Sequence, residues 1–160
     1  IHAFAEEVAR RLSFAVGAPL EPTVAYLGGR IEYKNPLSTG TEIPESIRIW
    51  SSKDFTIFLP TMTSPERDRF TIAHELGHFF IHYPLVAQAH PGEVMVATRW
   101  VDESDPAQQR AEWEANWFAA AFLMPAQPFK EMLLRTNLST VAARFGVSSA
   151  AADIRARTLG

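Results

Sequence analysis

The chain of 160 residues is long enough for one domain with a substantial core. Its 47% hydrophobic and 21% charged residues are ordinary globular composition, and a net charge of −3 gives no electrostatic reason to bind nucleic acid. It has no cysteine, which excludes disulfides and thiolate ligands; no apolar run approaches the ~18 residues of a membrane span and no secretory signal is visible, so a cytoplasmic protein is expected.

Residues 3–16 read as an amphipathic helix, with Phe4, Val8, Leu12 and Ala15 on one face and Gly17 and Pro19 ending it. From Pro19 to Pro60 the pattern is strand-like. Ile31-Glu32-Tyr33, Ile47-Arg48-Ile49-Trp50 and Phe55-Thr56-Ile57-Phe58-Leu59 carry the β-branched and aromatic residues. Ser51-Ser52-Lys53-Asp54 joins the last two as a hairpin, and 35–46 reads as a loop. A small antiparallel sheet is expected.

Thr63-Ser64-Pro65-Glu66 is a helix start, with a serine cap and proline in the first turn. The helix it opens is expected to run from Pro65 to Tyr83 and to stop before Pro84. It contains His74-Glu75-Leu76-Gly77-His78, a His-Glu-x-x-His pattern. Residues i and i+4 lie on one helical face, so His74 and His78 can each offer a nitrogen to one metal ion. Glu75 sits about 100° round the helix, placed to act as general base beside the metal. This is the pattern of a zinc hydrolase, with two of three protein ligands in place. The competing interpretation is a buried helix with two satisfied histidines. The surrounding Phe70, Ile72, Ala73, Leu76, Phe79, Phe80 and Ile81 put the helix in the core, where unpartnered polar groups are costly. Gly77, a poor helix former, makes sense where another element packs tightly on that turn. His82 cannot join the same site, because eight residues of helix separate it from His74 by about 12 Å. It reads as an outer or structural group.

Residues 84–106 form a long connection, with a short strand at Val94-Met95-Val96-Ala97. The next helix spans about Ala107 to Met124. With Glu112 at 0°, Ala115, Asn116, Ala119, Phe122 and Leu123 fall between about 280° and 40°. A core-facing carboxylate needs a partner and the two-histidine site needs a third ligand, so Glu112 meets both needs. An ion pair of Glu112 within the core is the alternative. Asn116, one turn on, can accept a hydrogen bond from a ligand imidazole. Glu114 falls near 200°, outside, beside Arg110. Trp113 and Trp117 read as packing residues.

Residues 138–146 and about 150–158 read as two short helices. Gly146 ends the first and Ser148 or Ser149 caps the second. The Ala142, Gly146, Ser148 spacing resembles a helix-turn-helix, but no basic stripe supports DNA binding and packing on the core is favoured.

Arg69-Phe70-Thr71-Ile72-Ala73-His74-Glu75-Leu76-Gly77-His78, then Glu112-x-x-Ala115-Asn116-x-Phe118-Ala119-Ala120 and Leu123-Met124-Pro125, resemble the ImmA/IrrE family of zinc metallopeptidases. Phe145-Gly146-Val147-Ser148 with Ala151 and Arg155 is similar to that family's C-terminal helices. The resemblance implies a gluzincin-like fold, an intracellular bacterial or phage setting, and cleavage of a regulatory protein, often a helix-turn-helix transcriptional repressor. It also implies His74, His78 and Glu112 as ligands of Zn²⁺ and Glu75 as the base. The zinc motif with a third histidine after His-x-x-Gly is excluded, since Ile81 and Pro84 stand at those positions.

The expected architecture is α+β: a small antiparallel sheet packed on the His-Glu-x-x-His helix and the Glu112 helix, zincin-like over residues 1–135, with a helical pair at 136–160. The expected function is a zinc endopeptidase acting on a regulatory protein, with no membrane partner and no nucleic acid. The substrate is expected to lie extended against Phe55–Leu59. Two alternatives are a metal-bound sensor module without hydrolysis and a DNA-binding regulator using the last two helices.

Overall fold

The computed structural model describes residues 1–34 and 45–160. In chain order these form α1 (His2–Arg11), α2 (Glu21–Tyr26), β1 (Gly29–Lys34), β2 (Glu45–Ser51), β3 (Asp54–Pro60), α3 (Pro65–Gly77), a π-helical turn (His78–His82) and α4 (Tyr83–Ala89). Then follow β4 (Met95–Thr98), α5 (Pro106–Leu123), α6 (Ala126–Arg135), α7 (Leu138–Phe145) and α8 (Ser149–Leu159). The architecture is α+β. Most of the loop expected over 35–46 lies outside the described residues; Glu45 and Ser46 begin β2.

The sheet is mixed, in the order β1-β3-β2-β4. The antiparallel expectation holds for β2–β3 and β2–β4, but β1 runs parallel to β3. The reason lies in β3. Phe55, Thr56, Ile57, Phe58 and Leu59 are all buried, so this strand takes the interior of the sheet with a neighbour on each side. The hairpin return from β2 fixes its direction, and β1 joins its other side. Phe55–Leu59 therefore has no free edge, contrary to the expected docking strand. Among the described residues, the sheet edges are β1 and β4.

Two helix boundaries differ from the sequence reading. α1 ends at Arg11, because Ser13 takes a left-handed conformation (φ 53°) that breaks the helix well before Gly17. The chain also does not leave the helix at Pro84. That proline falls in the first turn of α4, directly after the wide π turn. Ser64 caps α3 as expected, its hydroxyl accepting from the Arg67 N–H at 3.2 Å. α2, with Pro22 in its first turn, and α6 were not anticipated.

One hydrophobic cluster joins the sheet, α1, α3, α5 and the C-terminal helices, with Phe55, Ile57, Leu76, Phe118, Phe122, Phe129 and Phe145 buried in it. α3 crosses α5 closely at Gly77. A Cβ there would lie 3.0 Å from the Ala115 Cα and 3.2 Å from both the Ala115 carbonyl oxygen and the Phe118 Cβ. This is the tight packing that a mid-helix glycine implied. Arg69 ties α3 to the α7–α8 turn, Nε donating to the Gly146 carbonyl at 3.1 Å. Gly146 has φ 66°, and a Cβ would meet Arg69 Nε at 2.5 Å, so both backbone and space require glycine. At α8 the buried Arg155 donates to the Met124 carbonyl at 2.9 Å and to Glu6 at 3.3 Å.

Candidate metal centre

α3 and the π turn carry the two histidines, and α5 crosses them with Glu112. His74 Nε2 lies 3.0 Å from Glu112 Oε2, and His78 Nε2 lies 3.0 Å from Glu112 Oε1. One donor atom from each of the three residues falls within 4.8 Å of the other two. Tetrahedral zinc with bonds of about 2.0–2.1 Å needs donors about 3.3 Å apart, so the spacing fits a small cation.

The donors' own bonding sharpens this. His78 is buried, and its Nε2 makes no hydrogen bond although Glu112 Oε1 is 3.0 Å away. Proximity without a directed N–H bond is what two ligand atoms facing a common point would show. Glu75 is buried too, and its Oε2 has no partner. An orphaned imidazole nitrogen and an orphaned carboxylate oxygen are costly in an apolar core. A cation and its water would satisfy both, so these residues fit a metal.

Each ligand-type histidine has a partner on its other nitrogen. His74 Nδ1 is 2.8 Å from Asn116 Oδ1, so the ring donates there and turns Nε2 toward Glu112. His78 Nδ1 is 2.9 Å from His82 Nδ1. A π turn takes up more residues than an α turn, which alters the rotation between the two rings from that of a regular helix. His82 thus stays outside the donor cluster, as its distance from His74 implied, yet touches it through His78. Glu114 bonds Arg110 at 2.8 Å, as expected of an exposed pair, but its Oε2 also lies 3.8 Å from His82 Nε2.

Electrostatics follow from burial and from these neighbours. Burial opposes the charge on Glu112, but the imidazoles of His74 and His78 outweigh it and hold the carboxyl at about 2. Burial likewise disfavours charged His74, and Glu112 and Glu75 overcome it, raising its pKa. Glu75 is pushed above the usual carboxylate range by burial, against the pull of the two histidines and of the hydrogen-bonded Ser46 hydroxyl. Burial, and then the neighbouring His78, lower His82 to about 4, so it is neutral at neutral pH.

Ser46 and Arg99 were not anticipated near the site. Ser46 is buried on β2, and Arg99, just past β4, donates to the Phe58 carbonyl at 2.6 Å with Glu75 as the charge that favours its ionised form. No local pattern marked either residue, because strand pairing brings them there. Tyr83 packs in the core against Phe79, and His90 is exposed beside Glu93. Trp113 and Trp117, expected to pack, are half exposed. Trp117 and Asn116 line a cavity of about 750 Å³ between α3, α5 and α8, together with Thr71, Phe70, Met124 and Ile154.

A helix and π turn bearing two histidines and a glutamate are crossed by a second helix bearing a carboxylate and set against a small sheet, and the three ligand-type residues could hold a metal ion. Residues 43–157 match Peptidase_M78, the IrrE N-terminal-like domain, and the chain belongs to that family. No curated protein matches the chain. Its fold is similar to that of a Mycobacterium tuberculosis transcriptional regulator, with a TM-score of 0.60 at 20% identity, over 94% of this chain and 44% of the other. The chain thus spans less than half the length of that regulator. Among the described residues, no helix is long and apolar enough to cross a membrane.

Proposed function

We propose that the chain is a zinc-dependent endopeptidase of zincin-like architecture that cleaves a regulatory protein in the cytoplasm. The observation that carries this is the convergence of His74, His78 and Glu112 beside the unpartnered Glu75 Oε2. The all-nitrogen-and-oxygen donor set of two imidazoles and one carboxylate suits zinc with an open position. Bound zinc would supply Lewis acidity, acidifying water and polarising the scissile carbonyl. Glu75 takes the proton of the attacking water on Oε2 and returns it to the amine nitrogen as the C–N bond breaks. Asn116 holds the His74 ring by accepting from Nδ1.

The extended substrate would pair with the outer edge of β4 by strand addition, since β3 is enclosed. The cavity bordered by Asn116 and Trp117 offers an apolar recess beside the site. On this reading residues 1–135 are the peptidase unit and 136–160 a helical pair packed on it.

Glu75→Gln keeps the side-chain size and removes the base. The expected result is full zinc content with cleavage reduced at least a hundredfold, within the range of one general base. The same variant, used to trap bound proteins that the unaltered chain then cleaves, would identify the substrate. A second reading is a metal-bound regulatory module without hydrolysis, favoured by the likeness to a transcriptional regulator. Capture of a partner that the unaltered chain leaves intact would select it.

A further inference from the structure

The His78 side of the metal centre has an outer arm that the proposed reaction does not use. His78 Nδ1 and His82 Nδ1 are 2.9 Å apart, so one must donate and the other accept. Beyond them, His82 Nε2 is buried without a hydrogen bond, and its nearest carboxylate oxygen is Glu114 Oε2 at 3.8 Å. Glu114 is itself held by Arg110 Nε at 2.8 Å. The side chains of His82 and Glu114 are 14% and 17% exposed, so water screens this line of groups only weakly.

Only two proton arrangements are open to the neutral pair. If His82 donated from Nδ1, His78 would carry its proton on Nε2, on the face that meets Glu112, and could not ligate a cation there. If His78 donates from Nδ1, its Nε2 lone pair is free, and His82 must carry its own proton on Nε2, facing Glu114. The Glu114 carboxylate favours the second arrangement, because it stabilises a proton on the nitrogen nearest to it.

We propose that His82 and Glu114 are positioning residues, which fix the tautomer and ring plane of His78 so that its Nε2 lone pair faces the metal. This rests on the zinc-site reading above. It assigns a use to three features that a two-histidine, one-glutamate site leaves unexplained. These are a π turn that begins at the second histidine of the motif, a third histidine within it whose Nε2 is buried, and a carboxylate turned partly inward on α5. His74 has one short-range partner, Asn116, whereas His78 is held through a two-residue chain.

The test is zinc affinity of the full chain, by competition with a chromophoric chelator, for the unaltered protein, His82→Phe, Glu114→Leu and Glu114→Gln. His82→Phe keeps the bulk and removes the acceptor; a 10- to 100-fold weaker affinity is expected, the usual effect of losing such a partner. Glu114→Leu should weaken zinc by about tenfold, and Glu114→Gln, which retains an acceptor oxygen, by less. Nitrogen-15 spectra of the zinc-loaded protein should show His82 protonated on Nε2 only. Affinity within twofold of the unaltered protein in His82→Phe, or a His82 proton on Nδ1, overturns the proposal. Lost stability of the metal-free variant with unchanged affinity also overturns it, since a purely structural role gives that result. If the unaltered chain binds no zinc, the zinc-site reading itself fails, and the affinity of the unaltered chain tells the two failures apart.

Discussion

Gly77→Ala sets helix propensity against packing, and the distances decide between them. Alanine is favoured over glycine in a helix interior by about 1 kcal/mol. The new Cβ, however, would sit 3.0 Å from the Ala115 Cα and 3.2 Å from its carbonyl oxygen. Carbon pairs settle at about 3.5–4.0 Å, so α5 must retreat by roughly 0.5 Å at that turn. Two of the three obstructing atoms are backbone, so a rotamer change cannot relieve the clash. Overpacking of this kind costs about 1–3 kcal/mol, which leaves a net loss of roughly 1 kcal/mol after the propensity gain. The metal site should suffer more than the fold. Ala115 lies between Glu112 and Asn116 on α5, and donor positions tolerate only about 0.2 Å of displacement. Zinc affinity should fall by at least tenfold. Urea unfolding of the metal-free protein measures the first quantity and chelator competition the second. A variant about 1 kcal/mol more stable with unchanged zinc affinity would refute the close-crossing account.

Glu112→Ala should lose most of the bound zinc, measured by metal analysis after gel filtration; retained zinc would remove Glu112 from the ligand set. Metal uptake should weaken as pH falls through the raised pKa of His74, beginning above the ordinary 6.5, because the proton must leave before the nitrogen can ligate. Glu112, held at about 2, stays ionised throughout that window. For the metal-free fold the sign of the His74 contribution reverses. The stabilisation from its raised pKa is full below the unfolded value and is lost as pH rises through the folded one. Titrating zinc affinity and metal-free stability across pH 5–9 tests both trends, roughly the range of histidine shifts. Arg155→Met should cost roughly 2–3 kcal/mol in urea unfolding, less than a fully buried pair would, since Glu6 is 34% exposed.

What the sequence disclosed about this site follows the range of the interactions involved. The grouping of His74, Glu75 and His78 was legible because these positions share one helical turn. The approach of Glu112 and Asn116 to the two histidines was legible because a helical projection leaves few reasons for polar groups on an apolar stripe. The direction of β1 was not, since whether a strand runs parallel or antiparallel to its neighbour depends on which neighbour it finds. That choice was decided by the two-sided burial of β3. Nor was the approach of Ser46 and Arg99 to Glu75, which depends on the same pairing. The sequence placed His82 outside the ligand set but could not show its contact with His78, because the π turn has no reliable local signature.

The residues around the candidate metal centre are unevenly distributed, and this links packing to the proposed chemistry. Glu112, Asn116 and Glu114 all come from α5, while His74, His78 and His82 come from α3 and its π extension. One helix crossing therefore sets the distance from His74 to Asn116, from both histidines to Glu112, and from His82 to Glu114 together. Gly77 fixes how near that crossing is. A change that separates the helices should weaken all these contacts at once, whereas losing one outer partner should leave the others in place. Gly77→Ala combined with His82→Phe should then cost less zinc affinity than the sum of the single effects, in free energy, because the first change already loosens the contact the second removes. Strict additivity would mean that the arm and the crossing act independently.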